Sequence, residues 1–266
     1  MTVLNPKQYW EDRLKDNWGL DGVGYIGLGR HFNKWLYRLQ RQVFLRHVIP
    51  MQRNWSEADV LDIGSGTGFY GELWKQLGVK SLFLTDLTSA AVVRLKQKFP
   101  DSSCLDLDIG APLTETLGTR RFDCISAFAV LYHILDDHRY RTAFQNVTKL
   151  LKPGGLFIFS ENLLHKDAIH TPTQVSRSLT HVFGVLREFG LSVKLRAPLF
   201  VLMNFPVDSG SKLWEKAWHY TTLPVRKIGI LGWFLGALLY PADLVLTSVL
   251  KEGPSTEIVI CEKGLC

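Results

Sequence analysis

The run Val60-Leu61-Asp62-Ile63-Gly64-Ser65-Gly66-Thr67-Gly68 sets an acid and three alternating glycines where an apolar stretch gives way to a helical one. Glycines at such a turn bend tightly and let backbone N–H groups come close to a ligand. A second acid, Asp86, closes the next apolar run 24 residues after Asp62. That lies near the spacing of about 20 residues at which an acid holds ribose hydroxyls in nucleotide-binding βαβ units. The pair predicts a site for a ligand that carries a nucleoside. Nicotinamide and flavin sites use G-x-G-x-x-G, which needs glycine at position 67 or 69, where Thr67 and Phe69 stand. Gly22-Val23-Gly24-Tyr25-Ile26-Gly27 does match that pattern, but no predicted strand precedes it. No Gly-Lys-Ser/Thr follows the glycines, which excludes a P-loop.

Two further loops carry groups that could move a proton. Ala129-Val130-Leu131-Tyr132-His133 follows a predicted strand, and a neutral His133 could serve as a base for a hydroxyl or as a structural donor to a backbone carbonyl. Glu161 and His165 follow the next strand and are expected to point into one mouth, where either could orient or deprotonate a hydroxyl. Tyr9, Trp10 and Tyr25 are expected to close over the ligand or to pack the N-terminal helices. No His/Asp/Glu grouping has metal-ligand spacing, so no metal is expected.

The elements that must position these residues read as strands over 59–63, 81–85, 104–107, 123–128 and 156–160, with helices over 70–77, 89–99 and 138–151 between them. Alternation at this spacing predicts parallel βαβ units with helices on both faces. Lys152-Pro153-Gly154-Gly155 reads as a helix-to-strand turn. Residues 174–189 read as an amphipathic helix, 191–204 as extended and 256–262 as a terminal strand. Near the start, 6–17 reads as a short helix, and Phe32, Trp35, Leu36, Leu39, Val43 and Phe44 form one helical stripe with Arg30, Lys34, Arg38 and Arg41 facing away.

On these motifs, the chain resembles the class I S-adenosylmethionine-dependent methyltransferases over about residues 58–162, with 256–262 in support. The resemblance implies a doubly wound, mostly parallel seven-stranded α/β sheet. It implies S-adenosyl-L-methionine as cofactor, held by Asp62, Gly64, Ser65, Gly66 and Gly68 at its methionine part and by Asp86 and Leu87 at the ribose. Asp108 and Ile109 would lie beside the adenine, with Asp106 a competitor for Asp108, and Phe128 beside the cofactor amino acid. His133 falls where many members carry a histidine near the cofactor. The implied reaction is methyl transfer to oxygen, less readily nitrogen, of a small, partly hydrophobic organic molecule. A lipid acceptor at a membrane surface and a cofactor-binding module without turnover are the alternatives.

Composition is that of a globular protein: of 266 residues, 46% are hydrophobic and 21% charged, enough apolar material for a core. Cys104, Cys124, Cys261 and Cys266 form no paired pattern, and the start of the chain carries no signal-peptide pattern, so a reducing, cytoplasmic setting is expected. The net charge of +6 is concentrated in residues 1–53, where nine Lys/Arg face four acids. The expected organisation is an N-terminal helical segment (1–53) packed on a core (54–204 with 255–266), and a helical insertion (205–254). Within the insertion, residues 228–242 carry no charge. Pro241, Asp243 and three glycines interrupt this run, and the terminal strand must return to the sheet, so a transmembrane span is not expected. A lid over an apolar pocket is expected, with peripheral membrane contact through 228–250 and the basic N-terminal helix as the other reading. Nucleic acid is not an expected partner, since the basic residues come with no recognition motif.

Overall fold

The computed structural model describes residues 5–52, 54–113, 117 and 119–265; Arg53 and Cys266, counted above, lie outside them. In chain order the elements are α1 (Pro6–Asp16), α2 (Leu20–Val23), α3 (Gly29–Val48), β1 (Asp59–Ile63), α4 (Phe69–Gln76), β2 (Ser81–Asp86), α5 (Ser89–Lys98), β3 (Ser103–Asp106) and β4 (Phe122–Ala127). They continue with α6 (Asp137–Leu150), β5 (Leu151–Leu164), β6 (Ile169–His170), β7 (Val175–Ser178), α7 (Leu179–Glu188), β8 (Leu191–Pro198), α8 (Lys212–Lys227), α9 (Leu231–Val249) and β9 (Thr256–Lys263).

Contacts divide the chain into two compact units. The first holds residues 1–12, 53–196 and 258–266, the second 13–52 and 197–257. This differs from the expected organisation, in which 1–53 and 205–254 were separate attachments. The reason is that α3 and α9 pack along each other within the second unit, so the two segments share one core.

Among the described residues, nine strands form one sheet. Its parallel centre runs β3-β2-β1-β4-β5, with β1 beside β2 in the register Asp62↔Leu84 and beside β4 in the register Asp62↔Ser126. Strand β9 joins β5, and β8 joins β9. These make up the expected seven strands. β1, β4 and β5 are buried along nearly their whole length, as the central strands of a parallel sheet are. Leu61, Ile63, Ile125, Ala127, Phe157 and Phe159 pack with Tyr140, Phe144 and Val147 of α6 in the main core. Three of the following helices start on a side-chain cap: Thr88 accepts from the Ala91 N–H, Asp136 from Arg139 and Ser178 from His181.

Three sequence expectations are corrected here. Strand β5 is 14 residues long rather than five, since Lys152–Gly155 are taken into the strand and Leu151 pairs with Phe122 across a register shift. Residues 175–178, expected to open a helix, form β7 instead, parallel to the extended end of β5 through Leu163↔Arg177 and Leu164↔Ser178. The small strand β6 pairs antiparallel with β7. Val175, Ser176 and Arg177 are buried, so pairing with β5 overrides the local helical pattern. Residues 191–204 are extended only as far as Pro198.

In the second unit α3 buries Phe32, Leu36, Leu39, Val43 and Phe44, as their spacing predicts. Gly236 of α9 permits close approach: a Cβ there would lie 2.4 Å from the Trp35 ring. Arg46 bonds the Leu244 carbonyl and Thr247 hydroxyl of α9. The Asp243 carboxylate accepts the N–H groups of Val201, Leu202 and Met203 at 2.9–3.0 Å. Tyr25 lies in this unit against Trp218, with ring centroids 5.6 Å apart.

Candidate cofactor and active site

Asp62 is one residue from the end of β1, at the sheet edge where the carboxyl ends of parallel strands gather. Its carboxyl is buried, and Ser126 of the neighbouring β4 donates to Oδ1 at 2.6 Å. Ser126 is itself held by the indole N–H of Trp74 on α4 at 2.9 Å. The other oxygen, Oδ2, is buried with no hydrogen-bond partner. Burial pushes the Asp62 carboxyl up to about 6, with the Ser126 hydrogen bond pulling against it. Gly64, Gly66 and Gly68 all adopt positive φ, so the loop can turn only with glycine there. A Cβ on Gly64 would meet Val130 Cγ2 at 2.3 Å, so the loop after β4 presses directly on the glycine run. Ser65 braces the turn, accepting from Gly68 N–H and donating its own N–H to Thr85 O at 2.8 Å.

Asp86 ends β2. The Gly66 N–H donates to its Oδ2 at 2.9 Å, and the Thr88 N–H and hydroxyl donate to Oδ1. The glycine loop and the second acid are therefore joined directly. Burial raises the Asp86 carboxyl, opposed by the Thr88 and Gly66 hydrogen bonds. Leu87 beside it is half-buried. The Leu107 N–H donates to Asp86 O at 2.9 Å and brings the end of β3 alongside. One residue on, Asp108 is tied to the Arg139 guanidinium and accepts from the Gly110 N–H. Ile109 is buried, and Asp106 takes the Ser89 hydroxyl instead. The sequence did not single out Arg139. Nothing in spacing points to an ion pair from the first turn of α6.

The loop after β4 completes the edge. Phe128 stacks face to face on Tyr70 of α4 at 3.7 Å. Among the described residues Ala129 alone has positive φ without being glycine, and its N–H is fixed by the Ser160 hydroxyl at 2.7 Å. His133 follows in a short 3-10 turn. Its Nδ1 lies 2.7 Å from the Thr173 carbonyl oxygen. A carbonyl can only accept, so Nδ1 carries a proton, and in the neutral ring the lone pair is on Nε2. Trp10 of α1 meets the imidazole edge-on with ring centroids 4.9 Å apart, Tyr9 flanks Trp10, and Tyr132 packs beside His133. Beside Trp10, Glu11 accepts from the Ala90 N–H at the start of α5. The first turns of α1 thus reach the ends of both β2 and β4.

Glu161 and His165 do not share a mouth. Glu161 lies within β5, fully buried, accepting from the Tyr140 hydroxyl at 3.2 Å and the Asn162 N–H at 3.1 Å. Burial pushes its carboxyl up to about 8 despite the nearby Arg177 charge. His165 is exposed just beyond the strand, and four extended residues separate their Cα atoms by about 13 Å. The expectation failed because β5 runs to Leu164, which carries Glu161 inside the sheet. Arg177, whose guanidinium stacks 3.7 Å above the Tyr140 ring and pairs with Asp137, closes that interior cluster.

A parallel sheet whose β1 turn, β2 acid and β4 loop converge at one edge defines a domain for a nucleoside-bearing cofactor. Residues 61–157 match the methyltransferase-domain family, and the sheet has the Rossmann-like fold of solved S-adenosylmethionine-dependent methyltransferases. Among curated relatives, the nodulation protein S of Azorhizobium caulinodans is 27% identical over 135 residues, covering 47% of this chain and 55% of the relative. The tRNA N(3)-methylcytidine methyltransferase of Schizosaccharomyces pombe is 25% identical over 171 residues, covering 60% and 50%. The chain spans about half the length of these relatives. Among solved structures, the magnesium protoporphyrin IX methyltransferase of Synechocystis with bound S-adenosylmethionine superposes with a TM-score of 0.58 at 14% identity, over 99% of this chain and 100% of that one. The N-methyltransferase NodS of Bradyrhizobium japonicum, in complex with S-adenosylhomocysteine, gives 0.54 at 17% identity, over 98% and 99%.

The residues fit the family's cofactor. Asp62 Oδ2 is a buried acceptor without a donor, which the cofactor's α-ammonium group would supply. Asp86, buried at the end of β2 and accepting from Gly66 and Thr88, would turn its remaining lone pair to the ribose hydroxyls. Among the described residues, no three His, Cys, Asp or Glu side chains group to hold a metal ion.

Proposed function

We propose that the chain is a methyltransferase that uses S-adenosylmethionine to methylate a hydroxyl of a small, partly hydrophobic organic molecule. The observation that carries this reading is His133: a histidine with its tautomer set by Thr173 O, at the end of β4, inside a collar of Tyr9, Trp10 and Tyr132. Bound S-adenosylmethionine supplies a sulfonium methyl group open to in-line attack. The chain's own task is to orient the acceptor oxygen, exclude water from around it and take its proton. The role of His133 would be to take that proton on Nε2, with Nδ1 held by the Thr173 carbonyl. The aromatic collar suits a flat or apolar acceptor body and lowers the local water content.

Nitrogen is the second reading, favoured by the activities of relatives, among them the N-methyltransferase NodS and the tRNA N(3)-methylcytidine enzyme. Turnover of a panel of phenols, hydroxy acids and amines separates the two. With a hydroxyl acceptor, His133→Ala is expected to lower kcat by about a hundred- to ten-thousand-fold while leaving S-adenosylmethionine affinity nearly unchanged. Unchanged kcat in that variant would sink the hydroxyl reading.

A further inference from the structure

The second unit turns one of its helices inside out. Along α9 the buried positions are Gly232, Gly236, Asp243 and Thr247, two glycines and two polar residues. The outward stripe is apolar: Phe234, Leu238, Val245 and Val249 are 59–74% exposed, at helical spacings of four, seven and four. Asp243 is the one charged residue in the helix, and it is consumed by three backbone N–H groups. Exposed apolar residues also precede α9, Ile228 and Ile230 in the turn and Leu213, Tyr220 and Leu223 on α8. A soluble protein rarely leaves so much apolar surface uncovered.

Cations rim this surface. Arg226 and Lys227, both exposed, directly precede Ile228. Arg38 of α3 lies 5.3 Å from the Trp35 ring and 5.1 Å from Tyr240 of α9, and Trp35 in turn meets Trp233. Lys251 is exposed just past the C-terminal end of α9. Lys212 and Lys216 stand beside Leu213 on α8. Over residues 13–52 and 197–257 twelve Lys/Arg face seven Asp/Glu, so this unit holds +5 of the chain's +6. Of those acids, Asp243 and Glu257 are buried, which leaves the surface more positive still.

We propose that the outward face of α8–α9 docks on an anionic phospholipid bilayer, with α9 lying in the interface plane and the cations against lipid phosphates. An apolar helix face with tryptophan at its edge and Lys/Arg at its border is the composition that partitions to such an interface. The stripe from Phe234 to Val249 is about 22 Å long, and inserts side-on. A spanning arrangement is excluded by the basic face of α3, which packs along α9 and would follow it into hydrocarbon. A second copy of the chain would set like charges against each other around the stripe, whereas anionic headgroups meet them with the opposite sign. None of this depends on the methyl-transfer reading.

The test is flotation of the full chain with phosphatidylcholine vesicles and with vesicles that also contain phosphatidylglycerol, alongside light scattering of the free protein. The expected result is co-flotation with the anionic vesicles, weak flotation with phosphatidylcholine alone, and release by high salt. Phe234→Asp with Leu238→Asp, at positions exposed enough to leave packing intact, and separately Arg226→Glu with Lys227→Glu, are each expected to cut partitioning at least about tenfold. Brominated lipid is expected to quench Trp233. No flotation with either vesicle, or flotation that both double variants retain, would overturn the proposal. So would a dimer that does not float and that Phe234→Asp with Leu238→Asp splits to monomers.

Discussion

Asp62 and Glu161 are both carboxyls sealed inside the first unit, and their neighbours give them opposite characters at neutral pH. Asp62, at about 6, is ionised there and has one oxygen left for a cation. Glu161, at about 8 against an ordinary 4.5, keeps its proton, so it is an interior hydrogen-bonding group and no base. The sign of its effect on stability follows. Between about 4.5 and 8 the folded chain holds a proton that the unfolded chain releases. Glu161's contribution is therefore full below 4.5 and is lost as pH rises through 8. Glu161→Gln keeps the shape and cannot ionise. In urea unfolding across that window, the variant is expected to gain on the wild type by on the order of 1–3 kcal/mol towards high pH. Parallel stability curves would show that Glu161 is ionised in the fold.

At the scale of elements, the turn from β1 into α4 is the part most tightly specified. Gly64 combines positive φ with Val130 in contact range of its absent Cβ. Gly64→Ala is expected to destabilise by about 1–3 kcal/mol from backbone conformation alone, with loss of cofactor binding as the loop shifts off Val130. Chemical denaturation and ligand titration check the two effects together. This element was legible in the sequence because its signal is local: an apolar run, an acid, three glycines, then the acid at the end of the next strand. The α3 stripe was legible for the same reason, since a helical period reports which side is buried. The β5–β7 pairing was not. Residues 175–178 have no strand signature of their own and become a strand only because β5 extends to meet them. The misplacement of Glu161 and His165 follows from that one unseen extension. His133 was visible as a candidate, but its orientation depends on Thr173, 40 residues away in sequence. Non-local contacts of this kind leave no trace in spacing.

Across the whole molecule, charge and chemistry separate between the two units. The first carries the candidate cofactor edge and the proton-moving candidates, and is nearly neutral overall; the second carries most of the positive charge and the uncovered apolar helix. The sequence showed the excess of basic residues near its start and the uncharged run 228–242, though not that the fold joins them into one unit. The measurement that bears most directly on the central claim is calorimetric titration of S-adenosylmethionine into the wild-type chain and Asp86→Ala, at pH values on either side of the Asp62 midpoint of about 6. Binding by the wild type is expected to be stronger above that midpoint, where Asp62 is ionised and can meet the α-ammonium group. Asp86→Ala is expected to weaken it by about ten- to a hundredfold through the lost charged hydrogen bonds. No heat of binding to the wild type, or an affinity indifferent to Asp86, would contradict the assignment of this edge as the cofactor site.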